Sequence, residues 1–472
     1  MNAPIRPEPP LPVAIVGAGP IGLAAAAHLL ARGLEPLILE AGAAVGTAVR
    51  DWGHVPMFSP WRFNMDRAAV ALLERRGWTA PDPEAFPTGR ELAERYLDPL
   101  AAVPEIRTRL RLGVRVTGIA RAGLGKVRTA GRDALPFELH TPGPEGRAGR
   151  LLARAVIDTS GTWGSPNPAG ASGLPAPGEA AAAERIRYGM PDVLGRERAR
   201  YAGRRVLVLG SGHSAIGTLI DLAALARAEP RARLLWALRG ADLARVYGGG
   251  ALDQLPRRGA LGAELRALVA EGAVETVAPF ALAEIARSAD GGLLLTGDGA
   301  AGPVTLAADE LVVATGLRPD LSFLRELRLD LDPALDCPRV LAPLIDPNLH
   351  SCGTVRPHGA AELAQPEPGL FLAGMKSYGR APTFLLATGH EQVRSIAAEL
   401  AGDVAAARRV ELVLPETGVC SGPAPVADSV DALACCGGPA PAGSDACCVD
   451  DAAAKAVGAS GCGCPAVPAQ AA

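Results

Sequence analysis

Two segments of the chain repeat one order of features: a short aliphatic strand, a glycine turn and an apolar helix. The first is PVAIVGAGPIGLAAAAHLLARG, followed by the strand PLILEAG, and the second is RRVLVLGSGHSAIGTLIDLAALA, followed by ARLLWALRG. A strand, a helix and a second strand in this order form a β-α-β unit, which implies a parallel sheet. Because the two units lie far apart along the chain, we predict an α/β fold with two separate domains.

The first turn, GAGPIG, has three glycines at positions that suit a bound pyrophosphate. Gly17 permits the tight turn, Gly19 lets backbone amides approach a phosphate, and Gly22 lets the helix pack closely on the strand. The helix N-terminus then presents its unsatisfied N–H groups to the anion. Glu40 ends the next strand, where a carboxylate accepts hydrogen bonds from ribose hydroxyls. These features predict a dinucleotide site, with a glycine-rich turn that binds nothing as the alternative.

The second turn runs from Gly210 through Gly212 and Ser214 to Ala215, which takes the third small position. The strand that follows ends in Arg239 instead of an acid. A guanidinium at this position suits a ribose 2′-phosphate, which a carboxylate would repel. We therefore predict NADPH rather than NADH at this turn, with a solvated strand-end charge as the alternative role of Arg239.

The two sites together predict the organisation of the chain. An acidic ribose partner followed by a basic one indicates FAD first and NADPH second, in two Rossmann-like domains. We predict a FAD-binding domain in two parts, 1–165 and 318–415, with the NADPH-binding domain, 166–317, inserted between them. Residues 416–472 contain no aromatic residue, one Lys and no Arg, which predicts a disordered or loosely ordered Cys-rich tail.

Bulk composition excludes several classes of partner. The formal net charge of the 472 residues is −3, which argues against a nucleic acid or an anionic membrane. The apolar N-terminal run contains His28 and follows a flank with a single Arg, so a signal peptide or membrane anchor is not predicted. We expect a cytoplasmic protein with a small-molecule substrate, and its oligomeric state, including a homodimer, stays open.

Over most of residues 12–412 the chain resembles the flavin-containing monooxygenases. The resemblance rests on the first glycine turn, DTSGTWGSPNPAG, the second glycine turn and VVATGLRPD. The Phe-x-Gly-x-x-x-His fingerprint of that family is absent before the second turn, where the chain reads EAAAAERIRYGMPDVLGRERARYAG, and this favours a side branch. With WGHVPMFSPWRFNMD, HSCGTVRPHG, GMKSYGRAPTFLLATG and its Cys-rich end, the chain is similar to flavoprotein monooxygenases found with arsenic-resistance genes.

The resemblance implies a monooxygenase in which NADPH reduces FAD, O2 adds to the reduced flavin, and a C4a-hydroperoxide transfers oxygen to a soft nucleophile. The implied substrate is a trivalent arsenical or antimonite. Trp163 is implied to flank the FAD site. Gly374 and Met375 are implied to lie at the ribityl chain, and a helix that begins near Thr383 to point at the flavin ring. Asn64 is implied to hydrogen-bond near the flavin, with a turn-capping role as the alternative.

Other functions stay open at this point. A monooxygenase of small organic sulfur or nitrogen compounds needs the same cofactors. A disulfide reductase needs a thiol pair against the flavin, and residues 41–66 and 200–320 contain no cysteine. A thiol-rich metalloid-binding protein would retain the fold without turnover.

The cysteines are concentrated near the end of the chain. Only Cys337 and Cys352 of the nine precede residue 420, and the tail contains two adjacent pairs, Cys435 with Cys436 and Cys447 with Cys448. Adjacent cysteines strain a mutual disulfide but place two soft donors side by side. Such an arm would capture a trivalent metalloid and raise its local concentration; idle thiols and zinc binding are the alternatives. Cys352 is the candidate pocket thiol, with a buried apolar role as its alternative.

Overall fold

The computed structural model describes residues 10–142, 148–248, 256–348, 357–382 and 384–412. Its strands are Val13–Val16 (β1), Pro36–Leu39 (β2), Leu110–Arg111 (β3), Gly118–Arg121 (β4), Phe137–Pro142 (β5), Ala148–Ala153 (β6), Ala155–Asp158 (β7), Ile186–Tyr188 (β8), Arg205–Leu209 (β9), Arg233–Ala237 (β10), Glu275–Val277 (β11), Phe280–Arg287 (β12), Leu293–Gly299 (β13), Gly302–Ala308 (β14), Glu310–Val313 (β15) and Leu370–Leu372 (β16). Its α-helices are Pro20–Ala31 (α1), Thr47–Asp51 (α2), Trp61–Asn64 (α3), Arg67–Glu74 (α4), Gly89–Leu92 (α5), Asp98–Ala102 (α6), Pro104–Arg107 (α7), Arg198–Tyr201 (α8), His213–Arg227 (α9), Leu243–Tyr247 (α10), Pro256–Ala270 (α11), Ala342–Ile345 (α12), Ala360–Leu363 (α13), Leu386–Leu400 (α14) and Val404–Arg408 (α15).

Two five-stranded sheets organise the chain, and every strand pair in both is parallel. The first has the order β16-β7-β1-β2-β3 and the second the order β11-β10-β9-β15-β8. The first sheet takes its edge strand β16 from beyond the second sheet in sequence, which is the topology expected of an inserted domain. The predicted α/β class with two Rossmann-like domains is confirmed. We call the two units the first and the second domain.

The two passages between the domains run side by side. Pro166 and Leu317 form an antiparallel bridge, and the Asn167 N–H donates to the Gly316 carbonyl at 3.0 Å. Each domain also carries a three-stranded antiparallel sheet, β4-β5-β6 in the first and β12-β13-β14 in the second. The paired passages hold the two domains next to each other at this point.

Helix α1 lies in the core of the first domain and explains its alanine-rich sequence. Ala24 to Ala27 are buried, and small side chains let α1 pack closely against α4 and α14. The segment PTGRELAERYLDPLAA begins with a Thr88–Glu91 capping box and continues through a π-helical segment, Ala93–Leu97, into α6. Within the described ranges, no helix is both long enough and apolar enough to cross a bilayer.

Candidate functional site

The first glycine turn combines one closely packed position with one open position. Gly17 has φ +100°, and a Cβ placed on Gly22 would lie 2.0 Å from the Gly17 carbonyl oxygen. A Cβ on Gly19, the N-cap of α1, would meet no described atom within 4 Å. The turn therefore packs tightly on its inner side and leaves space in front of the helix N-terminus, where a phosphate would bind.

Glu40 follows β2 and is held against this turn. Its Oε2 accepts the Ala18 N–H at 2.7 Å, and its Oε1 accepts the Gly42 N–H at 2.7 Å. The residue is only 8% exposed. The carboxylate thus lies beside the phosphate-facing backbone, as predicted for a ribose ligand, and two backbone amides fix its orientation.

The second glycine turn repeats this arrangement with a different third residue. Gly210 has φ +139°, and a Cβ there would lie 2.3 Å from the Ala314 carbonyl oxygen. Gly212 is the N-cap of α9 and faces open space, while the methyl group of Ala215 is fully buried. Ser214 lines the adjoining cavity, and its carbonyl accepts the Thr218 hydroxyl at 2.8 Å.

Arg239 lies two residues beyond the end of β10, at the rim of the same cavity. It is exposed, and its Nη1 donates to the Ala171 carbonyl at 3.1 Å. Arg245 and Arg257 line the cavity as well. The second turn is therefore bordered by guanidinium groups, which suits a ribose phosphate.

One cavity of about 1650 Å³ connects the two domains. The second domain contributes its glycine turn and Arg239, and the first domain contributes residues 52, 54–59, 380–382 and 384–386 together with Met375. The rings of Phe58 and His213 lie 5.6 Å apart between their centroids and so form a contact between the domains. A ligand at the second turn can therefore reach the first domain without leaving the cavity.

Gly374 and Met375 follow β16 and lie beside the first turn of α1. Gly374 has φ +68°, a Cβ there would lie 3.2 Å from Ile21, and its N–H donates to Gln392 Oε1 at 2.7 Å. Met375 lines the cavity and packs against the first-domain core. Thr383 lies outside the described residues, and α14 begins three residues later, at Leu386.

Two residues implied by the resemblance lie away from the cavity lining. Asn64 is fully buried; its Oδ1 accepts from Ser59 Oγ, and its Nδ2 donates to the carbonyls of Ser59 and Pro60. This geometry matches the turn-capping alternative and gives no support to a catalytic Asn64. Trp163 donates from Nε1 to Asp51 Oδ2 at 3.0 Å and packs on Gly189 of the second domain, so its observed contacts are between the domains.

Comparisons with known proteins agree with this geometry. Residues 15–75 match the model of the NAD(P)-binding Rossmann-like domain. Indole-3-pyruvate monooxygenase YUCCA1 of Oryza sativa subsp. japonica is 28% identical over 215 residues, which is 44% of this chain and 44% of that protein. The match therefore spans less than half the length of this curated relative.

Two solved structures share the whole architecture. Bacillithiol disulfide reductase Bdr from Bacillus cereus superposes with a TM-score of 0.60 at 19% identity, over 85% of this chain and 100% of that one. The FAD-bound cadaverine monooxygenase DfoA from Erwinia amylovora superposes with a TM-score of 0.58 at 15% identity, over 87% and 97%. The chain has the two-dinucleotide-binding flavoprotein fold.

The residues present fit the two dinucleotides that this flavoprotein fold holds. Open space in front of Gly19 and Gly212 provides two cradles that any side chain would fill. Glu40 would hold the FAD ribose at the first cradle, and Arg239 would hold the NADPH 2′-phosphate at the second. From here we refer to the first and second domains as the FAD domain and the NADPH domain.

Sequence reasoning missed a buried ion pair at the junction of the two domains. Lys376 is 1% exposed, and its Nζ lies 3.3 Å from Oδ2 of the fully buried Asp158. The same Nζ donates to Ser160 Oγ at 3.0 Å and to the Asp320 carbonyl at 2.6 Å. Lys376 thus connects the end of β7 to both chain segments that link the two domains, through Ser160 in the first and Asp320 in the second. The signal was a lone lysine in GMKSYG, directly after an apolar strand.

The thiols of the described chain cannot serve a reductase. Cys337 is the one cysteine in the described ranges, and it is fully buried. Burial, with a smaller contribution from Asp332, raises the pKa of its thiol to about 12. It therefore stays protonated and unreactive. Cys352, Cys435, Cys436, Cys447 and Cys448 lie outside the described residues, and within them no group of three or more metal-binding side chains occurs.

Proposed function

We propose that the protein is an NADPH- and FAD-dependent monooxygenase that transfers one oxygen atom from O2 to a soft nucleophilic centre. The proposed substrate is a trivalent arsenical or antimonite, with a role in metalloid resistance. The observation that carries the proposal is one cavity that runs from the guanidinium-bordered second glycine turn to Met375 of the FAD domain, which follows Gly374 beside the first turn of α1. The lack of cysteine in residues 41–66 and 200–320 argues against the disulfide reductase alternative, and Cys337, the one described thiol, is buried.

When bound, the two cofactors would supply the electrons that activate O2, so that substrate, O2, NADPH and a proton give oxidised substrate, NADP⁺ and water. The protein's own part is to bind, orient and exclude water. Arg239 would hold the 2′-phosphate of NADPH at the rim. Phe58, Phe384 and Met375 give the cavity an apolar wall on the FAD-domain side. Oxygen transfer to a lone pair requires no dedicated general base.

The direct test is oxygen transfer by the purified protein. We expect bound FAD, its reduction by NADPH without air, and NADPH oxidation stimulated by arsenite or methylated As(III). Labelled ¹⁸O2 should place one labelled atom in the product. Protein that binds no flavin, or that reduces disulfides with NADPH and leaves ¹⁸O out of every substrate, would contradict the proposal.

A monooxygenase of small organic sulfur or nitrogen compounds is the second candidate. It is favoured by the apolar and aromatic FAD-domain wall, which includes Trp52, Met57 and Phe58. Stimulation of NADPH oxidation by thioethers or amines, with none by trivalent arsenicals, would establish it in place of the first.

The Cys-rich tail is proposed to capture the metalloid. Truncation after residue 415 tests this, because the flavoprotein fold lies before that point. We expect turnover at saturating arsenite to survive while KM rises several-fold, since the loss concerns local concentration alone. Unchanged kinetics would leave the tail without this role.

A further inference from the structure

We propose that the FAD-domain wall of the cavity selects uncharged or anionic substrates against cationic amines, and that Arg380 enforces this selection. The inference rests on the proposed function, because it concerns the substrate of the same cavity. Under this selection, neutral arsenicals and thioethers would enter the cavity, and alkylammonium compounds would not.

The charges of the lining residues carry the proposal. On the FAD-domain wall the described lining residues contain no carboxylate, and Arg380 alone among them has a permanent charge. His54 lines the same wall, and its burial lowers the pKa of the imidazole, so this ring is neutral near pH 7. The described lining residues of this wall therefore offer a cation no carboxylate, and the carboxylates that act on His54, Asp192 and Glu197, belong to the NADPH domain.

The NADPH-domain wall does not supply a net negative charge that would attract a cation. Its described lining residues contain four arginines against two acids: Arg239, Arg245, Arg257 and Arg258 against Asp221 and Asp242. Asp242 already caps α10 by accepting the Arg245 N–H.

Arg380 is held in place from two sides. Its N–H donates to the Leu335 carbonyl at 2.7 Å, and its Nε donates to Asp336 Oδ2 at 2.5 Å. Gly379 before it has φ +57°, and a Cβ there would lie 1.9 Å from the Leu335 carbonyl oxygen. Arg380 lines the cavity and Asp336 does not, so the positively charged member of this ion pair is the one on the cavity side.

An ammonium group that leaves water needs a carboxylate or several acceptors in exchange. A neutral As(III) hydroxide or a thioether carries no such cost, and a carboxylate-bearing substrate gains from the guanidinium. The positive charge of Arg380 disfavours a cation further, and because Arg380 is exposed and paired with Asp336 this additional effect should be about threefold to tenfold in binding. The lack of a lining carboxylate and the presence of Arg380 therefore both disfavour cationic substrates on the FAD-domain wall.

Three thioethers of similar size test this: 3-(methylthio)propan-1-ol, 3-(methylthio)propanoate and 3-(methylthio)propylamine. We expect kcat/KM for the amine to be at least about tenfold below that of the alcohol in the wild-type holoenzyme. Arg380→Met should reduce the difference to about threefold or less, and Arg380→Lys should keep it. Binding measured by tryptophan fluorescence, with Trp52 in the lining, should follow the same order without turnover.

Arg339→Met is the matched control, because Arg339 is an exposed arginine that also pairs with an aspartate, Asp330, but does not line the cavity. It should leave the ratio unchanged. Equal kcat/KM and equal binding for amine and alcohol in the wild type would overturn the inference. If the binding order holds while no thioether or arsenical is turned over, the charge selection stands and the proposed function fails.

Discussion

The two glycine turns have the same backbone plan but differ in how they meet their surroundings. At the first, the third small residue is Gly22, where a Cβ would lie 2.0 Å from a backbone oxygen. At the second, Ala215 occupies the same place with a buried methyl group. The first turn is thus packed more tightly by about the volume of a methyl group.

The two residues predicted to bind ribose groups also differ in burial. Glu40 is buried and accepts two backbone N–H groups, whereas Arg239 is exposed and donates to one carbonyl. A preorganised buried group favours a ligand that stays bound, and an exposed one favours a ligand that exchanges. The comparison therefore predicts a retained FAD and an exchanging NADPH.

The largest expected effect comes from making the first turn like the second. Gly22→Ala forces a Cβ against the Gly17 carbonyl oxygen, so the turn must move, and we expect a cost of about 4 to 5 kcal/mol in unfolding free energy with loss of bound flavin. Flavin absorbance after gel filtration and urea unfolding measure both.

The matched control is the reverse exchange at the second turn. Ala215→Gly should cost only about 1 kcal/mol, because it adds backbone freedom within a helix and removes one methyl group. Full flavin retention in Gly22→Ala would show that the two turns are packed alike.

The second largest effect is expected at the ion pair between the domains. Lys376→Met leaves the Asp158 carboxylate buried without its partner, and we expect a loss of about 3 to 4 kcal/mol. The double variant Lys376→Met with Asp158→Asn should recover much of this, since no charge is then stranded. Thermal unfolding of the single and double variants checks it; equal losses in both would contradict an ion-pair role.

How far the sequence predicts this molecule depends on the kind of signal. The turns, Glu40 and Arg239 were predictable because glycine periodicity and strand ends are local patterns. Lys376 and Asp158 were not, since they lie 218 positions apart and only the folded chain brings them together. For Asn64 the sequence left a catalytic and a turn-capping role open, because an asparagine that caps its own turn and one that faces a ligand look identical in sequence.

The two domains should also respond to acid in opposite ways. Burial lowers the pKa of His390 in the FAD domain to about 4, with Asp66 opposing the shift and His28 adding to it. Burial, together with Asp192 and Glu264, raises the pKa of Asp221 in the NADPH domain to about 6.

Unfolding exposes His390, which then takes up a proton below its ordinary pKa of 6.5. Its contribution is therefore complete above pH 6.5 and is lost as the pH falls towards 4, by about 3 kcal/mol. Asp221 acts in reverse, and its contribution is lost as the pH rises from about 4 to 6.

Two variants test this contrast. His390→Gln should flatten the fall in the urea midpoint between pH 6.5 and 4. Asp221→Asn should stabilise the protein at pH 7 by about 1 kcal/mol after solvent screening. If both variants showed the same dependence of the urea midpoint on pH as the wild type, neither His390 nor Asp221 would contribute to the pH dependence of stability.

The smallest effect on stability and the sharpest on selectivity is expected at Arg239. Arg239→Gln removes an exposed guanidinium that has one hydrogen bond to a carbonyl, so the unfolding free energy should change by less than about 0.5 kcal/mol. A charge-assisted hydrogen bond to a phosphate accounts for about 10-fold to 100-fold in affinity, so KM for NADPH should rise by that factor while KM for NADH stays nearly constant. Arg233→Gln, at the other end of β10 and equally exposed, is the control and should change neither value. If both KM values rise together in Arg239→Gln, the residue serves the general charge of the cavity, and the choice between the two nicotinamide cofactors is made elsewhere.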